Sequence, residues 1–281
     1  MLSLVSVPIG NLKDITLRAL EVLQDADIIA CEDTRVSLKL LTHYGISKPL
    51  LSYHEHNAEQ MRPRLFALLK EGKKLAYITD GGMPLISDPG FKLVVSCQER
   101  DLPYTVIPGP SAPLTALCLS GLSPARFLFC GFLSPKTGAR KRAFEELLSE
   151  RSTLIFFESA KRLVPFLKDA QDILGDRLAT VCREMTKLFE EARKGPLSTL
   201  IAFYDKTPPR GEIVVVIEGT IEIEKKITDL DQHLHEALKI HSVKEAVDLV
   251  SKAYNLPKRE VYQHALKLSS EKTRLLEGTS E

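Results

Sequence analysis

The sequence is poor in the residues that mark metal-binding and disulfide-bonded proteins. It contains no tryptophan, and its cysteines form neither a CxxC pair nor a Cys/His cluster with the spacing of metal ligands. We therefore predict free buried thiols in a reducing compartment and no metal site. The five cysteines are Cys31, Cys97, Cys118, Cys130 and Cys182.

Long apolar runs and an excess of charge are also missing. No apolar stretch approaches the roughly 18 residues that a membrane helix requires, and the N-terminal "MLSLVSVPIG" lacks the basic segment and the apolar length of a signal peptide. We therefore expect a cytoplasmic protein with no membrane partner. The 38 Lys and Arg against 37 Asp and Glu give a net charge of +1, so any site for a polyanion must be local.

The 281 residues, of which 44% are hydrophobic, are enough for two domains. Up to residue 110, short apolar runs alternate with segments of helical period, which predicts a mainly parallel sheet covered by helices. Asp14 is the expected N-cap of the first helix. Beyond a joint at "PGPSAP" the alternation resumes, and the hairpin-like spacing of "KLFEEARKG" and "EIVVVIEG" favours a more mixed sheet.

The predicted organisation is an α/β domain over 1–110, a second α/β domain over 111–220, and a linker with a helical extension over 221–281. "TIEIEKKITDLD" is the expected charged linker. Further on, Ser242 and Glu245 have the spacing of a capping box, and a turn is expected at 255–257. Helix, tight turn and helix is the outline of a helix-turn-helix and equally of a small helical appendage, so both interpretations stand.

The loops that follow the predicted strands are where an open α/β sheet binds ligands. In "VPIGN" (7–11) a glycine permits close backbone approach, but the stretch is not GxGxxG and does not indicate a Rossmann nucleotide site. "CEDTR" (31–35) places two carboxylates and an arginine at a strand-to-helix turn. Either Asp33 or Thr34 caps the helix and Arg35 pairs locally, or these side chains face a cleft as polar anchors.

Two further loops carry polar groups. "ITDGGMPLISDPG" (78–90) offers carboxylates and glycine-exposed amides, which suit a small molecule with hydroxyls and amines. The alternative is a pair of Asx-turns followed by a helix N-terminus. "PGPSA" (108–112) is a stiff turn that brings Ser111 to the start of a helix, where its hydroxyl either binds a carboxylate or caps the helix.

A basic stretch, "SPKTGARKR", contains no acidic residue. A solvated start of a helix is one interpretation, and contact with RNA phosphates is the other. The candidate RNA-binding residues are Lys136, Arg140, Lys141 and Arg142.

Together and in this order, these stretches resemble the ribosomal RNA small-subunit methyltransferase I family of the tetrapyrrole methylase (class III S-adenosylmethionine) superfamily. The resemblance covers about residues 4–219, and the helical tail is similar to that family's C-terminal extension. The stretches that carry it are "PIGNLKDITLRALEVL", "CEDTR", "KLLTHYGI", "YHEHN", "DGGMPLISDPG", "PGPSA", "FLFCGFLSPKTGARK", "LIFFESAKR", "CREMTKLFEE" and "EIVVVIEG".

The resemblance implies a two-domain tetrapyrrole-methylase-like fold with a small helical C-terminal extension. It further implies methyl transfer from S-adenosylmethionine to the ribose 2′-hydroxyl of a cytidine in the decoding region of 16S rRNA, in the 30S ribosomal subunit, by a homodimer. The cofactor is expected in the cleft between the two α/β domains. Carried over position by position, its binding residues are Pro8, Ile9, Asp80, Met83, Ser111, Ala112, Phe157, Met185 and Ile213.

The chain departs from the family pattern where Asp-Ala-Gly-Thr-Pro is usual, since Gly81 and Met83 replace the alanine and the threonine. This removes one hydroxyl, while backbone contacts at 83 are expected to survive. "ESAKR" likewise replaces a more usual Glu-Ser-Pro-His-Arg.

A ribose hydroxyl is a poor nucleophile, so a base or a cation that stabilises the emerging alkoxide helps the reaction. We expect Glu32 or Glu184 to handle the proton, and Arg35 or Lys187 to hold phosphate or alkoxide. Asp33 and Arg183 are further polar candidates for the cleft.

Two rival functions remain. One is methylation of a tetrapyrrole or another small acceptor by the same fold, against which the basic stretch and the helical tail argue. The other is a non-catalytic RNA-binding assembly factor, against which the complete set of cofactor loops argues.

Overall fold

The computed structural model describes residues 1–220, 222–254, 258 and 261–265. By its internal contacts the chain forms two compact units, Met1–Gly219 and Thr220–Glu281. The first unit contains two five-stranded sheets, one after the other along the chain. The predicted α/β class is confirmed.

The first sheet is parallel throughout, because short strands alternate with helices that return the chain to the same edge. Its strand order is β3-β2-β4-β1-β5, and the central β4 is buried along its whole length. The strands are β1 (Leu2–Val5), β2 (Ile28–Cys31), β3 (Leu50–Ser52), β4 (Leu75–Ile78) and β5 (Tyr104–Ile107). The helices are α1 (Leu17–Asp25), α2 (Thr34–His43), α3 (Ala58–Lys70) and α4 (Phe91–Gln98).

The N-caps of α1 and α2 test two predictions, of which one is confirmed and one is wrong. Asp33 caps α2 by accepting from the amide of Arg35 at 2.8 Å, as one interpretation of "CEDTR" proposed. The prediction that Asp14 caps α1 is wrong. Thr16 does so through its Oγ1, which accepts from Ala19 N at 3.1 Å, because Asp14 ends a separate 3-10 turn.

The second sheet is mixed, as the hairpin spacing predicted. Its order is β6-β7-β10-β8-β9, and within residues 1–220 the pair β6–β7 is parallel while the other three pairs are antiparallel. The strands are β6 (Phe127–Phe132), β7 (Thr153–Ser159), β8 (Leu178–Arg183), β9 (Glu191–Pro196) and β10 (Glu212–Ile217). The helices are α5 (Ala112–Ser120), α6 (Thr137–Glu146), α7 (Leu163–Leu174) and α8 (Leu197–Lys206).

The second sheet buries both faces. One face packs against α6, α7 and α8 around residues such as Phe156, Phe166 and Tyr204. The opposite face packs against α5 around Ile155, Cys182 and other apolar side chains. The central strands β7, β10 and β8 therefore send alternate residues into two different cores.

The helical extension consists of α9 (Glu222–Ile240), α10 (Val243–Tyr254) and a helical segment at 261–265. The prediction of a charged linker over 220–231 is wrong, because α9 already begins at Glu222. The capping box is confirmed: Ser242 N donates to Glu245 Oε2 at 3.0 Å, and Glu245 N donates to Ser242 Oγ at 3.4 Å. The predicted turn at 255–257 lies outside the described residues.

The cysteines test the prediction of free buried thiols, and the helices test the prediction that no membrane helix is present in the described part of the chain. All five cysteines are free thiols, and Cys31, Cys97 and Cys182 are buried, whereas Cys118 is exposed and Cys130 is half-buried. No helix within the described part of the chain is both long enough and apolar enough to cross a membrane.

Arg140 is a structural residue rather than an RNA contact, which corrects the sequence-based assignment. Its side chain is 2% exposed and forms an ion pair with Asp169 of α7, with Nε donating to Oδ2 at 2.8 Å. The helical period turns Arg140 inward, where it joins α6 to α7. Lys141 pairs with Asp172 at 2.7 Å, while Lys136 and Arg142 are exposed and stay candidates for RNA.

We predict that Asp169→Ala lowers the free energy of unfolding by about 3–5 kcal/mol, because it leaves a buried guanidinium without its carboxylate. Removing both charges together, by Arg140→Met with Asp169→Leu, is expected to cost less. Urea unfolding followed by circular dichroism measures both. Asp172→Ala, at the exposed pair on the same helices, is the matched control, and an equal loss in the control and in Asp169→Ala would contradict the prediction.

Candidate functional site

Three loops meet at the carboxyl edge of the first sheet, because β4, β1 and β5 are neighbours in it. Val7 and Gly82 exchange two backbone hydrogen bonds of 3.0 Å each. Ser6 Oγ donates to Pro110 O at 2.7 Å. The loops 6–11, 79–90 and 108–111, each singled out from the sequence, therefore form one connected structure.

Glycine lets these loops lie close together. Gly82 has a φ of 80°, and a Cβ on it would lie 3.3 Å from Ile9 Cγ2. A Cβ on Gly81 would lie 3.4 Å from Pro8 O, an ordinary contact. The alanine that is usual in the resembling family would therefore fit at 81, and Gly81 does not by itself change the loop. Pro8 is buried, and Ile9 and Met83 are half-buried.

Carboxylates gather where β2 and β4 end. Asp80 is exposed and its Oδ1 accepts from Asp33 N at 3.3 Å. Burial, followed by the charges of Asp88, Asp80 and Asp33, raises the pKa of Glu32. Burial also raises the pKa of Asp80. Glu32 is therefore a better proton acceptor than an ordinary surface carboxylate.

Arg35 is committed to Asp33. Its guanidinium lies 2.6 Å from Asp33 Oδ2 while the side chain remains 87% exposed. Hydrogen bonds from Arg35 hold the pKa of Asp33 at about 2. The local-pairing interpretation of "CEDTR" therefore describes this structure, and Arg35 is a weaker candidate for holding the substrate than the sequence suggested.

The turn between β8 and β9 packs on the loop 6–11. Asn11 N donates to Thr186 Oγ1 at 3.1 Å. A Cβ on Gly10 would lie 2.8 Å from Lys187 Cε and 2.9 Å from Met185 O, so this position has no room for a side chain. The second sheet thereby brings "REMTK" to the edge of the first sheet.

Glu184 and Lys187 form a paired cluster in this turn. Glu184 Oε1 accepts from Lys187 Nζ and from Glu212 N, each at 3.0 Å. The amide of Glu212 and then Lys187 lower the pKa of Glu184. Burial lowers the pKa of Lys187, but the carboxylates of Glu212 and Glu184 raise it by more, so the pKa of Lys187 is raised overall. Lys187 is therefore a fixed cation, and Glu184 is a poor proton acceptor.

An apolar surface adjoins this turn. Met185, Ala112 and Phe157 belong to the same cluster on the α5 face of the second sheet. The Phe157 ring contacts those of Phe129 and Phe132, with centroids 5.0 and 5.3 Å apart. Three predicted cofactor residues from three separate stretches of sequence are thus brought together.

The side chain of Ile213 points away from this surface, so the predicted cofactor contact at this position is left to its backbone. In the antiparallel pairing, Val214 lies opposite Phe157 and Ile213 lies opposite Glu158. Ile213 packs with the α6–α8 core on the other face. Since side chains alternate along a strand, a one-residue difference moves a side chain across the sheet. Val214 is the residue on the face of Phe157.

Ser111 begins α5, and its hydroxyl makes no capping hydrogen bond to any residue that the structure describes. This rules out the capping interpretation in the present structure. The hydroxyl and the amides of Ala112 and Leu114 remain available to an anionic group, while Pro113 has no N–H to offer.

The sequence reasoning missed Gly10 and Thr186 as contacts between the two sheets, although both lie in motifs that it quoted. It also missed Asp88, whose pKa burial and the Asp80 charge raise to about 6. The acidic residues of "CEDTR" and "ITDGGMPLISDPG", which follow strands of the same predicted sheet, could have indicated this repulsion. Among the described residues, no group of three or more His, Cys, Asp and Glu side chains is arranged to hold a metal ion.

Family comparisons agree with this arrangement. Residues 1–201 match the family model described as "Tetrapyrrole (Corrin/Porphyrin) Methylases", and residues 224–269 match the "RsmI C-terminal HTH domain". The chain is 45% identical to "Ribosomal RNA small subunit methyltransferase I" of Mesorhizobium japonicum, over 95% of this chain and 92% of that protein. The chain belongs to the ribosomal RNA small subunit methyltransferase I family. As a member of this family it is a methyltransferase.

Another member of the ribosomal RNA small subunit methyltransferase I family, from Thermotoga maritima, is 45% identical over 78% of this chain and 98% of its own length. That relative has little sequence beyond the aligned part, so about a fifth of this chain has no counterpart there. The solved structure of a cobalt precorrin-4 methyltransferase of cobalamin biosynthesis has a TM-score of 0.57 at 18% identity, over 77% of this chain and 94% of that one. At this identity the likeness shows the shared fold alone.

We predict that Asp88→Asn stabilises the protein at pH 8 by about 1–2 kcal/mol, after allowance for partial solvent screening. The pKa of Asp88 is 3.8 unfolded and about 6 folded, so the folded state holds its proton more tightly and loses stability as the pH rises through this window. The gain from asparagine should therefore shrink towards pH 4. Urea midpoints at both pH values measure it, and a gain that is independent of pH would contradict the assignment.

Proposed function

We propose that this enzyme transfers a methyl group from S-adenosylmethionine to the ribose 2′-hydroxyl of a cytidine in the decoding region of 16S rRNA. The observation that carries the proposal is that the connected loops of the site belong to a chain that matches, over nearly its whole length, relatives named for methylating small-subunit ribosomal RNA. The 30S ribosomal subunit, or its RNA, is then the partner, and the cytoplasm the location.

The residues of the site fit S-adenosylmethionine. The apolar surface of Ala112, Phe157 and Met185 suits the adenine ring, and the exposed Asp80 carboxylate suits ribose hydroxyls. The uncapped start of α5 at Ser111 suits the carboxylate of the methionine part. When bound, the cofactor supplies an electrophilic methyl group.

The acidic cluster adds an electrostatic argument for this cofactor. Burial raises the pKa of Glu32, Asp80 and Asp88, and repulsion from neighbouring carboxylates adds to the effect. A sulfonium cation supplies a balancing positive charge. The backbone around Pro8, Ile9 and Met83 completes the proposed shell.

Glu32 is the proposed acceptor of the hydroxyl proton. It follows β2 directly, next to the strand that leads into the Asp80 loop, and its raised pKa gives it more basicity than Glu184 has. Lys187 is the proposed group that holds a phosphate or the developing alkoxide, because two carboxylates keep it protonated beside Gly10. Arg35, which is paired with Asp33, is the weaker candidate for this role.

RNA contact outside the cleft is assigned to the exposed residues of the basic stretch and to the helical extension. Lys136 is exposed at the N-cap of α6 and Arg142 is exposed on the helix itself, while Lys141 is partly exposed and paired with Asp172. The extension matches a helix-turn-helix family model, a motif whose second helix can dock on nucleic acid.

We also propose two α/β domains, with boundaries at 1–110 and 111–220, and a homodimer. The helix α5 is apolar on its outward side as well as its inward side: Leu114 is 49% exposed, Leu119 is 39% exposed and Cys118 is exposed. A helix that is apolar all round belongs in a buried position, so this face favours a second copy of the chain. Sedimentation velocity tests the dimer.

The function is tested by mapping 2′-O-methylation on 16S rRNA by mass spectrometry, in a strain that lacks the protein and in the same strain with it restored. We expect one cytidine of the decoding region to be methylated only when the protein is present. Purified enzyme with 30S subunits and labelled S-adenosylmethionine, beside a porphyrinogen, identifies the acceptor directly. Methylation of the porphyrinogen alone, or calorimetry showing no cofactor binding, would refute the proposal.

We predict that Glu32→Gln slows single-turnover methylation by about 10²–10⁴-fold, with the affinity for S-adenosylmethionine unchanged. Since the base acts only when it is deprotonated, the wild-type rate should fall as the pH drops through the raised pKa of Glu32, and the variant should lose this dependence. Glu71→Gln, at an exposed position after α3, is the matched control. Rates equal to those of the control would exclude Glu32 as the base.

A further inference from the structure

A cavity of about 300 Å³ lies at the end of β8, on the α8 side of the second sheet, and none of the steps above uses it. It is a basic cavity, because three of its residues are arginines and one is acidic. The lining residues are Arg183, Glu191, Arg193, Phe203, Tyr204, Thr207, Pro208, Pro209 and Arg210.

The single carboxylate of the cavity is shared by two of the arginines. Glu191 Oε2 lies 3.2 Å from Arg183 Nη2, and Glu191 Oε1 lies 2.9 Å from Arg193 Nε. Arg193 also lies over the Phe203 ring, 3.6 Å from its centroid. These contacts hold both guanidinium groups in place, and a net positive charge of two remains on the lining.

Two polar groups of the cavity are uncommitted. The Arg210 side chain is exposed and forms no ion pair with the described residues, while its carbonyl accepts from Arg183 Nη1 at 3.4 Å. The Tyr204 side chain is 2% exposed, and its hydroxyl makes no hydrogen bond of normal geometry with the residues that the structure describes, although Arg193 lies near enough to oppose the rise that burial causes in its pKa. A buried hydroxyl without a partner is costly, and a ligand that accepts a hydrogen bond would remove that cost.

Two arginines of the cavity are direct sequence neighbours of residues at the proposed reaction site. Arg183 precedes Glu184, and Arg210 precedes Gly211, on which a Cβ would lie 2.2 Å from Glu184 Oε1. Glu184 in turn binds Lys187 at 3.0 Å. A ligand held by the arginines therefore lies next to the turn that packs on the loop 6–11.

We propose that this cavity binds a backbone phosphate of the RNA substrate, on a nucleotide next to the one that is methylated. Guanidinium groups fixed in a fork match the oxygens of a phosphodiester, and the Tyr204 hydroxyl supplies an additional donor. An RNA strand whose ribose lies at the reaction site carries phosphates on both sides of it, so a basic cavity beside that site suits this substrate. The assignment rests on the proposed function.

The test uses the full-length enzyme and 30S subunits. Arg210→Gln is the main variant, because this side chain has no partner to lose within the described structure. We expect binding to weaken about five- to tenfold, and the slope of log affinity against log KCl concentration to fall by about 1. The affinity for S-adenosylmethionine and the melting temperature should not change. Arg64→Gln, an exposed arginine on α3, makes the same charge change elsewhere.

Tyr204→Phe is the second variant. It removes a hydroxyl that has no partner in the described structure, so a merely structural role predicts unchanged RNA binding. We expect weaker binding of 30S subunits and a stability equal to or above that of the wild type, since the variant removes a buried hydroxyl that lacks a partner. Inorganic phosphate is tested separately as a ligand by calorimetry.

The outcomes distinguish the two proposals. Weaker RNA binding and a lower salt slope for Arg210→Gln than for Arg64→Gln support the phosphate site. If the wild type methylates 16S rRNA but both arginine variants behave alike, the site is refuted and the function stands. Binding of inorganic phosphate that depends on Arg210, without an effect on RNA, also refutes it. If the wild type neither binds nor methylates 30S subunits, both proposals fall.

Discussion

The site depends on the contact between the loop 6–11 and the turn that joins β8 to β9. Gly10 lies against Lys187 and the Met185 carbonyl, and Asn11 donates to Thr186. This contact joins the polar edge of the parallel sheet to the apolar surface of the mixed one. The proposed cofactor has a charged centre and an aromatic ring, and the contact brings the carboxylates of the first sheet to the aromatic surface of the second. A side chain at position 10 would displace Lys187 and the Met185 carbonyl from their observed positions.

Charge is distributed unevenly over this joined site. The first sheet contributes carboxylates that repel one another, so that burial and mutual repulsion raise the pKa values of Glu32 and Asp88. The second sheet contributes an excess of basic charge in the arginine cavity, where three arginines face one carboxylate. An acidic side suits a cationic methyl donor, and a basic side suits a polyanionic acceptor. The acidic and basic sides of the site thus match the charges of the two substrates of the proposed reaction.

Much of the fold could be predicted from the sequence, because apolar period and turn residues determine where strands and helices lie. The parallel first sheet, the mixed second sheet and the Ser242–Glu245 capping box all follow from such local patterns. What could not be predicted depends on which face a residue takes. Arg140 is inside because the pairing of α6 with α7 supplies Asp169, and Ile213 leaves the α5 face because of strand register. Both facts are properties of packing between distant segments, which local patterns do not contain.

The backbone of the β8–β9 turn has an energetic consequence. Glu184 and Thr186 have φ values of 51° and 66°, in the left-handed region that costs non-glycine residues roughly 1–3 kcal/mol each. Both distant and local partners hold them there. Asn11 N donates to Thr186 Oγ1 and Glu212 N donates to Glu184 Oε1, while Thr186 N donates to the nearby Glu190. The turn therefore stores backbone strain, and the first sheet supplies one of the contacts that hold it in this conformation. Separating the two sheets would remove the Asn11 contact and leave those of Glu190 and Glu212, so the observed backbone of "REMTK" depends in part on a segment far from the one that encodes it.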